Sequence, residues 1–332
     1  NARIMNDEVN ISLNSKAFAE AVRPELERYK REFKEYLKSG IFVIDQINAY
    51  LARTRGKAIR PIITFLSAKL VGQVSDSTIK AALIVELLHN ATLVHDDIVD
   101  ESDLRRGFPS IKKIWNNKIA VLYGDYLLAH SLMAMLEMRD LAVFDILSVT
   151  AKRLSKGELL QAAKTRKLDM NEETYLRMIA DKTAALISAS AELGALSAGG
   201  DENQRRALKE YGENLGMAFQ IRDDLLDYIG RKGALGKPTG GDIREKKITL
   251  PLIYGLRKAP DSKKREILHA IKRRKQLKKV VEFVRSGDGI EYAENQAGKF
   301  AGEAANRLAV FPDGDEKRLL QELADFVVTR EK

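Results

Sequence analysis

The sequence predicts an all-α fold, on the basis of three observations. Apolar residues recur at intervals of three and four, as at Ile84, Leu87 and Ala91, which is the period of a helix rather than the alternation of a strand. No proline occurs between Ser110 and Pro238. Dipeptides typical of β-hairpin turns are scarce. Together these features indicate long, uninterrupted helices.

Short polar segments divide the helical pattern, and we expect loops there. None of them is long enough, or rich enough in Ser and Pro, to link two domains. We therefore expect residues 1–332 to form a single large helical domain, with residues 1–14 poorly ordered. The predicted loops are Arg53–Lys57, Asp103–Pro109, Ala198–Asn203, Gly230–Asp242, Ser286–Gly289 and Pro312–Asp315.

The chain of 332 residues has a formal net charge of +9 and contains no cysteine, which excludes disulfides and thiolate metal sites. A basic balance is compatible with nucleic acid, an anionic membrane surface or anionic small substrates. The basic clusters Lys263–Arg265 and Lys272–Lys279 have no interleaved aromatic residues. They indicate an exposed helix face, and no nucleic-acid partner is expected.

No run approaches 18 apolar residues, so no transmembrane segment is predicted. The first 16 residues are polar and lack the apolar core of a signal peptide. We therefore expect a cytoplasmic protein.

Two copies of the motif D-D-x-x-D lie in helical, apolar surroundings. Residues four apart share a helix face, so the first and last aspartates of each copy point the same way. Crowded carboxylates repel one another, and a bound Mg²⁺ would relieve the repulsion while keeping positions open for substrate phosphates. A solvated acidic patch or a helix N-terminus would explain one copy, but two copies flanked by basic residues favour work on a diphosphate. The copies are Asp96-Asp97-Ile-Val-Asp100 and Asp223-Asp224-Leu-Leu-Asp227.

The residues around these motifs resemble the polyprenyl diphosphate synthases, the trans-isoprenyl diphosphate synthases, and within them the medium- and long-chain octaprenyl type. The resemblance covers about Leu51 to Leu256, with its motifs in the family's order. One departure is Arg55-Gly56, where the family usually has two glycines. Arg330 also resembles the family's basic C-termini. The segments that carry the resemblance are Gly56–Pro61, Glu86–Gly107, Lys182-Thr183, Gly216–Asp227, Leu235–Asp242 and Lys247–Pro251.

This resemblance implies a helical bundle around a central cavity and a trans-prenyltransferase that adds isopentenyl diphosphate units to an allylic diphosphate. It also implies several Mg²⁺ ions per active site, a homodimer, and at most transient membrane contact for product release.

The resemblance assigns roles to particular residues. Asp96, Asp100 and Asp223 would hold Mg²⁺, and Asp97, Asp224 and Asp227 would be further ligands or lie just behind them. These six aspartates and Lys182 form the implied catalytic set. The allylic diphosphate would bind Arg105, Lys182, Thr183, Gln220, Lys237 and Lys247. Isopentenyl diphosphate would bind Lys57, Arg60, His89 and Arg106 without metal.

Each assignment has a plainer alternative. Arg105 and Arg106 would also balance Asp100 and its acidic neighbours in a loop, and His89 would serve as a core histidine. The glycines of residues 230–241 are compatible with a flexible connector or with a lid over the phosphates. The segment Gly157–Gln161 resembles a family segment and is equally compatible with plain packing.

Product length is predicted from the residues one turn before Asp96. Ala91 and Thr92 are small, whereas short-chain members of the family commonly carry an aromatic ring there, so a growing tail would pass this level. The bottom of the tunnel for the prenyl tail would then lie at Leu128, Leu132 and Met135, although these residues are equally compatible with ordinary packing in the hydrophobic core. We therefore expect a medium or long product, with octaprenyl as the central expectation.

Three other functions are weighed against this one. A short-chain farnesyl or geranylgeranyl diphosphate synthase differs only in product length. A terpene cyclase would lack the second D-D-x-x-D and the basic second-substrate site. A non-catalytic helical subunit that binds anions would show no turnover of isopentenyl diphosphate.

Overall fold

The computed structural model describes residues 16–54, 56–229 and 240–330. Within these ranges the chain is almost entirely helical, which confirms the all-α prediction. Four sequence-based expectations lie wholly or mostly outside the described residues: the disorder of residues 1–14, the departure at Arg55, the phosphate ligand Lys237, and the connector or lid formed by the glycines of residues 230–241.

Residues 16–21 are helical, and the helices after them are labelled α1–α16. A π-helical turn, Ala180–Ala184, separates α8 from α9, and a 3-10 turn, Leu308–Val310, follows α15. In chain order the helices are α1 (Arg23–Tyr36), α2 (Phe42–Arg53), α3 (Ile59–Val71), α4 (Asp76–Val99), α5 (Ile111–Trp115), α6 (Asn117–Met138), α7 (Leu141–Lys167), α8 (Glu172–Ile179), α9 (Ala185–Ser197), α10 (Glu202–Ile229), α11 (Gly241–Arg244), α12 (Leu250–Lys258), α13 (Asp261–Arg273), α14 (Leu277–Arg285), α15 (Gly289–Arg307) and α16 (Asp315–Thr329).

The described residues gather into two compact units that are interleaved along the chain. The first unit consists of the described residues within Asn1–Ala151, Leu186–Lys209 and Leu308–Leu320. The second unit consists of those within Lys152–Ala185, Glu210–Arg307 and Gln321–Lys332. That residues 1–332 form a single domain stays a prediction.

Helix α4 is the centre of the first unit, because most of its apolar side chains are buried and it packs along α6. It starts in a capping box: Ser75 accepts a hydrogen bond from the Thr78 N–H, and Thr78 accepts one from the Ser75 N–H. Elsewhere in this unit α3 and α9 pack so closely that a Cβ on Gly194 would lie 2.3 Å from the carbonyl oxygen of Thr64. Only glycine fits at that contact.

The C-terminal end of α4 differs from expectation, because it falls within the first aspartate motif rather than beyond it. Asp100 is the C-cap, and Glu101 takes a positive φ of 52°. The Ser102 N–H donates to the Asp97 oxygen at 2.9 Å and the Glu101 N–H to the Ile98 oxygen at 3.2 Å, a Schellman arrangement. The motif therefore occupies a helix end, where the chain can turn at once into the following loop.

That loop, predicted as Asp103–Pro109, contains a small hairpin of two strands, β1 (Leu104–Arg105) and β2 (Phe108–Pro109). The strands pair antiparallel, with Arg105 opposite Phe108. Arg106 and Gly107 form the two-residue turn with φ values of 54° and 81°. Two positive φ values are what a type I′ hairpin turn requires.

The second unit has its own core around α10. Ile221, Leu225 and Tyr228 of this helix are fully buried among apolar residues that include Tyr175 and Ile253. Because this face of α10 is fixed by packing, the aspartates that alternate with these residues along the helix are held in fixed directions as well.

Helices α4 and α6 are long and apolar enough to cross a membrane by length and composition, although both contain charged residues. Core helices of water-soluble proteins pass the same test, and 67% of the most apolar window of α4 is buried. In α6 the corresponding fraction is 39%. The prediction that the chain has no transmembrane segment therefore stays a prediction.

The outer face of α6 explains its low burial. Its large exposed side chains fall on one side of the helix, where Asp125 is the sole charged residue among the exposed positions from 121 to 136. The large apolar residues of this face, called the α6 face below, are Val121, Leu122, Leu128, Leu132, Met133 and Leu136.

Candidate active site

The first aspartate motif holds the hairpin that follows it. Asp97 is buried, and its Oδ1 accepts hydrogen bonds from Arg105 Nε at 2.9 Å and Arg105 Nη2 at 2.5 Å. Asp96 and Asp100, one turn apart, are half-buried. The three carboxylates of the motif therefore have different surroundings. Asp97 positions Arg105, and Asp96 and Asp100 lie at the C-terminal end of α4.

A cationic cluster lies in the same unit. Arg60 Nη1 is 2.9 Å from His89 Nε2. Because a guanidinium has only donors, this nitrogen of His89 must be the acceptor. A Cβ on Gly56 would lie 2.5 Å from the Cζ of Arg106, so glycine at this position lets the chain approach the second guanidinium. Exposed Lys57 follows directly in the chain.

The cluster brings half-buried Arg60 and exposed Arg106 together beside buried His89. The pKa of Arg60 is lowered to about 10, chiefly by burial; the charge of Glu86 opposes the shift and that of Arg106 adds to it. Burial also lowers the pKa of Arg106. The Nε of Arg60 is buried and has no hydrogen-bond partner among the described residues. A buried unpaired donor is costly, so this arrangement favours an anion.

The second unit contains a cavity of about 110 Å³ beside the second aspartate motif. It combines several ammonium groups with two carboxylates and five neutral polar side chains. Its polar lining includes Lys164, Lys182, Lys246, Lys247, Thr183, Gln220, Asp224 and Asp242.

A chain of hydrogen bonds fixes the wall of this cavity. Thr183 Oγ1 donates to Gln220 Oε1 at 2.7 Å, and Gln220 Nε2 donates to Asp224 Oδ1 at 2.7 Å. The Tyr175 hydroxyl donates to Asp224 Oδ2 at 2.7 Å. Burial raises the pKa of Asp224 to about 7, with a further contribution from Asp223 that the two hydrogen bonds oppose.

Asp227 shapes the backbone next to the cavity. Its two oxygens accept the N–H groups of Gly241 and Asp242 at 2.9 and 3.0 Å, which places a carboxylate at the start of α11. Burial raises the pKa of Asp242 well above its ordinary value, and the charges of Asp224 and Asp227 add to the shift. Three carboxyl groups thus compete for the same counter-charge.

Asp223 has an internal cation for a partner. Arg330 Nη2 hydrogen-bonds to Asp223 Oδ1, and the guanidinium lies 4.1 Å from the centre of the Phe219 ring. The carbonyl oxygen of Arg330 accepts hydrogen bonds from Arg222 Nε and Nη2 at 3.0 and 2.9 Å. The end of the described chain is therefore held against the second aspartate motif.

The two predicted phosphate-binding lysines of this unit each have a carboxylate neighbour. Lys182 Nζ is 2.6 Å from Glu158 Oε1, and Lys247 Nζ is 2.7 Å from Glu245 Oε2. These pairs are partly exposed, so water screens them and each is worth little to stability. An incoming diphosphate can therefore compete for the ammonium groups.

The residues present match Mg²⁺ by donor chemistry, because carboxylate oxygens are its preferred protein ligands. Within the part of the chain that the structure describes, no group of three or more His, Asp or Glu side chains forms a ready-made metal site. A cation held here would therefore need further oxygens from water or substrate.

The three residues predicted to set product length lie in different surroundings. Ala91 is buried, Thr92 is half-buried and Leu132 is 47% exposed on the α6 face. A cavity of about 50 Å³ beside the first motif is lined by Asn90, Leu93 and Asp97, but by none of these three. Their role in chain length stays a prediction.

Comparison with known proteins identifies the family. A family model described as polyprenyl synthetase matches residues 42–286. The chain belongs to the polyprenyl synthetase family. It is 33% identical over 329 residues to heptaprenyl diphosphate synthase component 2 of Bacillus subtilis, covering 98% of this chain and 94% of the relative. It is 35% identical over 301 residues to octaprenyl diphosphate synthase of Escherichia coli, covering 90% and 93%.

Comparison with solved structures supports the same family. The crystal structure of a polyprenyl synthase from Caulobacter crescentus, complexed with calcium and isoprenyl diphosphate, matches with a TM-score of 0.91 and 35% identity, over 96% of this chain and 98% of that one. The isoprenoid-synthase fold and the prenyltransferase activity predicted from sequence are thereby confirmed.

This polyprenyl synthetase carries site residues that sequence reasoning did not single out. Lys164, Lys246, Asp242 and Tyr175 line the cavity or bind its wall. Asp242 ends the quoted segment Leu235–Asp242 and could have been marked by that position. The other three stand in no recognisable motif, and only the folded chain brings them to the site.

The first testable prediction concerns His89. Burial, followed by the charges of Arg60, Arg106 and Arg105, lowers the pKa of His89 well below its ordinary value. The unfolded chain therefore binds more protons below about pH 6.5, and the folded state loses stability as the pH falls. Between pH 6.5 and 5.5 the wild type should lose about 1 kcal/mol more than His89→Gln.

Urea unfolding at each pH measures this difference. His269→Gln, at an exposed helical position, is the control and should follow the wild type. If His89→Gln and the wild type show parallel pH dependence, His89 is not held neutral in the folded protein.

Proposed function

We propose that this polyprenyl synthetase condenses an allylic diphosphate with successive isopentenyl diphosphate units, giving a medium- to long-chain all-trans polyprenyl diphosphate of octaprenyl type. The observation that carries the proposal is the presence of two unlike anion sites. One is the cluster of Arg60, His89 and Arg106, in which His89 is buried and the Arg60 Nε is a buried, unpaired donor. The other is the cavity of lysines and carboxylates beside the second aspartate motif.

The arginine–histidine cluster fits isopentenyl diphosphate, which takes no metal in this proposal. Guanidinium groups bind phosphate oxygens in pairs, and His89 adds a nitrogen that holds Arg60 in place. Lys57 supplies a fourth polar group at the exposed side. Because the cluster already carries positive charge without a metal ion, a diphosphate supplies the missing counter-charge.

The lysine cavity fits the diphosphate of the allylic substrate. Lys182 and Lys247 act as point charges on its oxygens, and the bonded row of Thr183, Gln220 and Asp224 presents oriented polar groups. Arg105, held by Asp97, and Lys237 complete the proposed set. By surrounding the departing diphosphate, these side chains would exclude water from it.

Mg²⁺ is proposed as the cofactor, with Asp96, Asp100 and Asp223 as its ligands. When bound, it would stabilise the negative charge that develops on the departing diphosphate. Asp97, Asp224 and Asp227 are proposed to act behind these ligands: Asp97 binds Arg105, Asp224 binds Tyr175 and Gln220, and Asp227 binds backbone N–H groups. No dedicated base is assigned, and the released diphosphate is the proposed acceptor of the final proton.

Three alternative functions can be compared with the two anion sites and the six aspartates. A short-chain farnesyl or geranylgeranyl diphosphate synthase would use the same two anion sites, so only product length separates it. A terpene cyclase has no use for the arginine–histidine cluster. A non-catalytic subunit leaves the six retained aspartates without a function. We further propose a cytoplasmic location, with transient membrane contact for release of the apolar product and no nucleic-acid partner.

We also propose a homodimer in which the α6 face contacts a second copy of the chain. Leu136, Met133 and Leu122 of this face are 68%, 55% and 54% exposed, and contiguous exposed apolar surface commonly marks an interface. The face also extends toward α7, where Leu141 is 82% exposed.

The dimer is tested by replacing Met133 and Leu136 together with glutamate. Two charges on the α6 face should convert dimer to monomer, measured by light scattering after size exclusion. The matched control is Val310→Glu, because Val310 is 60% exposed and lies off that face. A variant that stays dimeric would place the interface elsewhere.

The proposed activity is tested with labelled isopentenyl diphosphate, farnesyl diphosphate and Mg²⁺. Arg60→Met should raise the KM for isopentenyl diphosphate by roughly tenfold or more, as expected for losing a charged phosphate contact of about 1.5–3 kcal/mol. Lys247→Met should raise the KM for the allylic substrate instead. Turnover by the wild type with equal effects of both variants on both substrates would refute two distinct sites, and absence of turnover would refute the activity.

Product length is tested by Ala91→Phe. Each buried methylene of the tail contributes about 0.8 kcal/mol, so the tail follows an apolar path, and a ring at this level should block it. The distribution of wild-type product lengths should centre on octaprenyl diphosphate. The variant should still catalyse condensation, but its products should be no longer than farnesyl or geranylgeranyl diphosphate. Ala91→Ser is the size-matched control. Because Ala91 is buried, thermal unfolding must show that Ala91→Phe is folded. An unchanged distribution of product lengths would contradict this account.

A further inference from the structure

Arg153 of α7 connects three segments of the second unit. Its Nε donates to Asp181 Oδ1 at 2.8 Å, and its Nη2 donates to the carbonyl oxygen of Ala180 at 3.0 Å. Nη1 and Nη2 also donate to the two carboxylate oxygens of Glu213, at 3.0 and 2.5 Å. One side chain thus ties α7 to the π-helical turn and to α10.

The network keeps Arg153 charged and fixed. Its side chain is 28% exposed and that of Asp181 is 9% exposed. Burial lowers the pKa of Arg153, but the hydrogen bonds to Glu213 and Asp181 outweigh burial and hold the pKa above its ordinary value. A planar guanidinium can serve these acceptors together, whereas a lysine ammonium lacks the fork geometry.

The segment held by Arg153 has unusual backbone geometry. The Ala185 N–H donates to the Ala180 oxygen, five residues back instead of four, which makes Ala180–Ala184 a π-helical turn. Such turns are rare and occur frequently at functional sites. The oxygen that closes this turn is the one that also accepts from Arg153. The side chains of Lys182 and Thr183, within the turn, line the diphosphate cavity.

Further residues of α7 and α10 connect these helices with the π-helical turn and the cavity wall. One turn after Arg153, a Cβ on Gly157 would lie 2.6 Å from the backbone nitrogen of Lys182, so α7 touches the turn there. On α10, Glu213 precedes Gln220 by seven residues, close to two helical turns, so both project from one face. Gln220 is the residue that accepts from Thr183.

We propose that Arg153 is a positioning residue that fixes the π-helical turn, so that Lys182 and Thr183 are held in the geometry that binds the allylic diphosphate. Arg153 is not among the residues that line the cavity and acts through the turn alone. The inference rests on the proposed function, which places the allylic diphosphate in this cavity.

The test compares Arg153→Met with Arg28→Met. Arg28 also pairs with two carboxylates, Glu32 and Asp76, both at 2.7 Å, but it lies in the first unit away from any predicted phosphate ligand. Three quantities are measured: KM for farnesyl diphosphate, KM for isopentenyl diphosphate, and the affinity for inorganic pyrophosphate with Mg²⁺ by calorimetry.

Arg153→Met should weaken pyrophosphate binding and raise the KM for farnesyl diphosphate, with kcat/KM falling by up to roughly a hundredfold, the scale of a misplacement of about 1 Å. The KM for isopentenyl diphosphate should change less than about twofold. Amide exchange at residues 180–185 should speed up. Arg28→Met should alter none of these, and Arg153→Lys should rescue only part of the loss.

One further variant keeps the proposal testable if Arg153→Met folds poorly, and a double variant tests its coupling to Lys182 if it folds. Gly157→Ala pushes on the Lys182 backbone without touching Arg153, and should weaken pyrophosphate binding in the same selective way. In a Lys182→Ala background, Arg153→Met should have little further effect on pyrophosphate affinity, because residues that act through one another are not additive.

The possible results separate cleanly. Equal changes in both KM values, additive effects of Arg153→Met and Lys182→Ala, or unchanged exchange at residues 180–185 would each overturn the positioning role. A wild-type protein that neither binds pyrophosphate nor turns over farnesyl diphosphate would instead overturn the proposed function on which the inference rests.

Discussion

Charges of one sign lie close together in both units, at least partly shielded from water, and much of the local structure follows from that constraint. In the first unit the charge of Arg106 adds to burial in lowering the pKa of Arg60, and burial and the charges of both arginines lower the pKa of His89. In the second unit the charge of Asp224 adds to burial in raising the pKa of Asp242. Like charges in a low dielectric are costly unless a counter-charge is present. A protein that binds polyphosphate and divalent cations can retain such clusters because its ligands complete them.

Some of the predicted site residues are placed by irregular backbone rather than by regular helix. The Schellman end of α4 turns the chain after Asp100, and the type I′ turn places Arg106 at positive φ. The π-helical turn carries Lys182. Each irregularity costs free energy that packing must offset, as the buried face of α10 and the crowded contacts of Gly56 and Gly157 illustrate.

The sequence allowed the helical class to be predicted because apolar spacing reports helix faces directly, and the two aspartate motifs stood out because six carboxylates in apolar surroundings need an explanation. The sequence could not show which of these aspartates form hydrogen bonds or ion pairs with other residues of the protein. Asp97 is buried and binds Arg105, which lies beyond the turn at the end of α4, and neither property can be read from the apolar spacing. Arg330 and Asp223 are 107 positions apart, so their pairing depends on tertiary structure alone. Lys164 and Tyr175 likewise reach the cavity only through packing.

The chemical contrast between the two anion sites has a consequence for how the proposed substrates bind. The arginine–histidine cluster holds net positive charge, and its hydrogen bond between Arg60 and His89 is already formed. Its affinity for a diphosphate therefore does not depend on another ligand. The lysine cavity is different, because Asp224 and Asp242 oppose its ammonium groups, and Glu158 and Glu245 compete for Lys182 and Lys247. A diphosphate entering alone would meet these carboxylates, whereas one that arrives with divalent cations would not. The proposed metal dependence of the allylic site, and the proposed metal independence of the other, then follow from the type of basic residue that each site uses and from the number of carboxylates beside it.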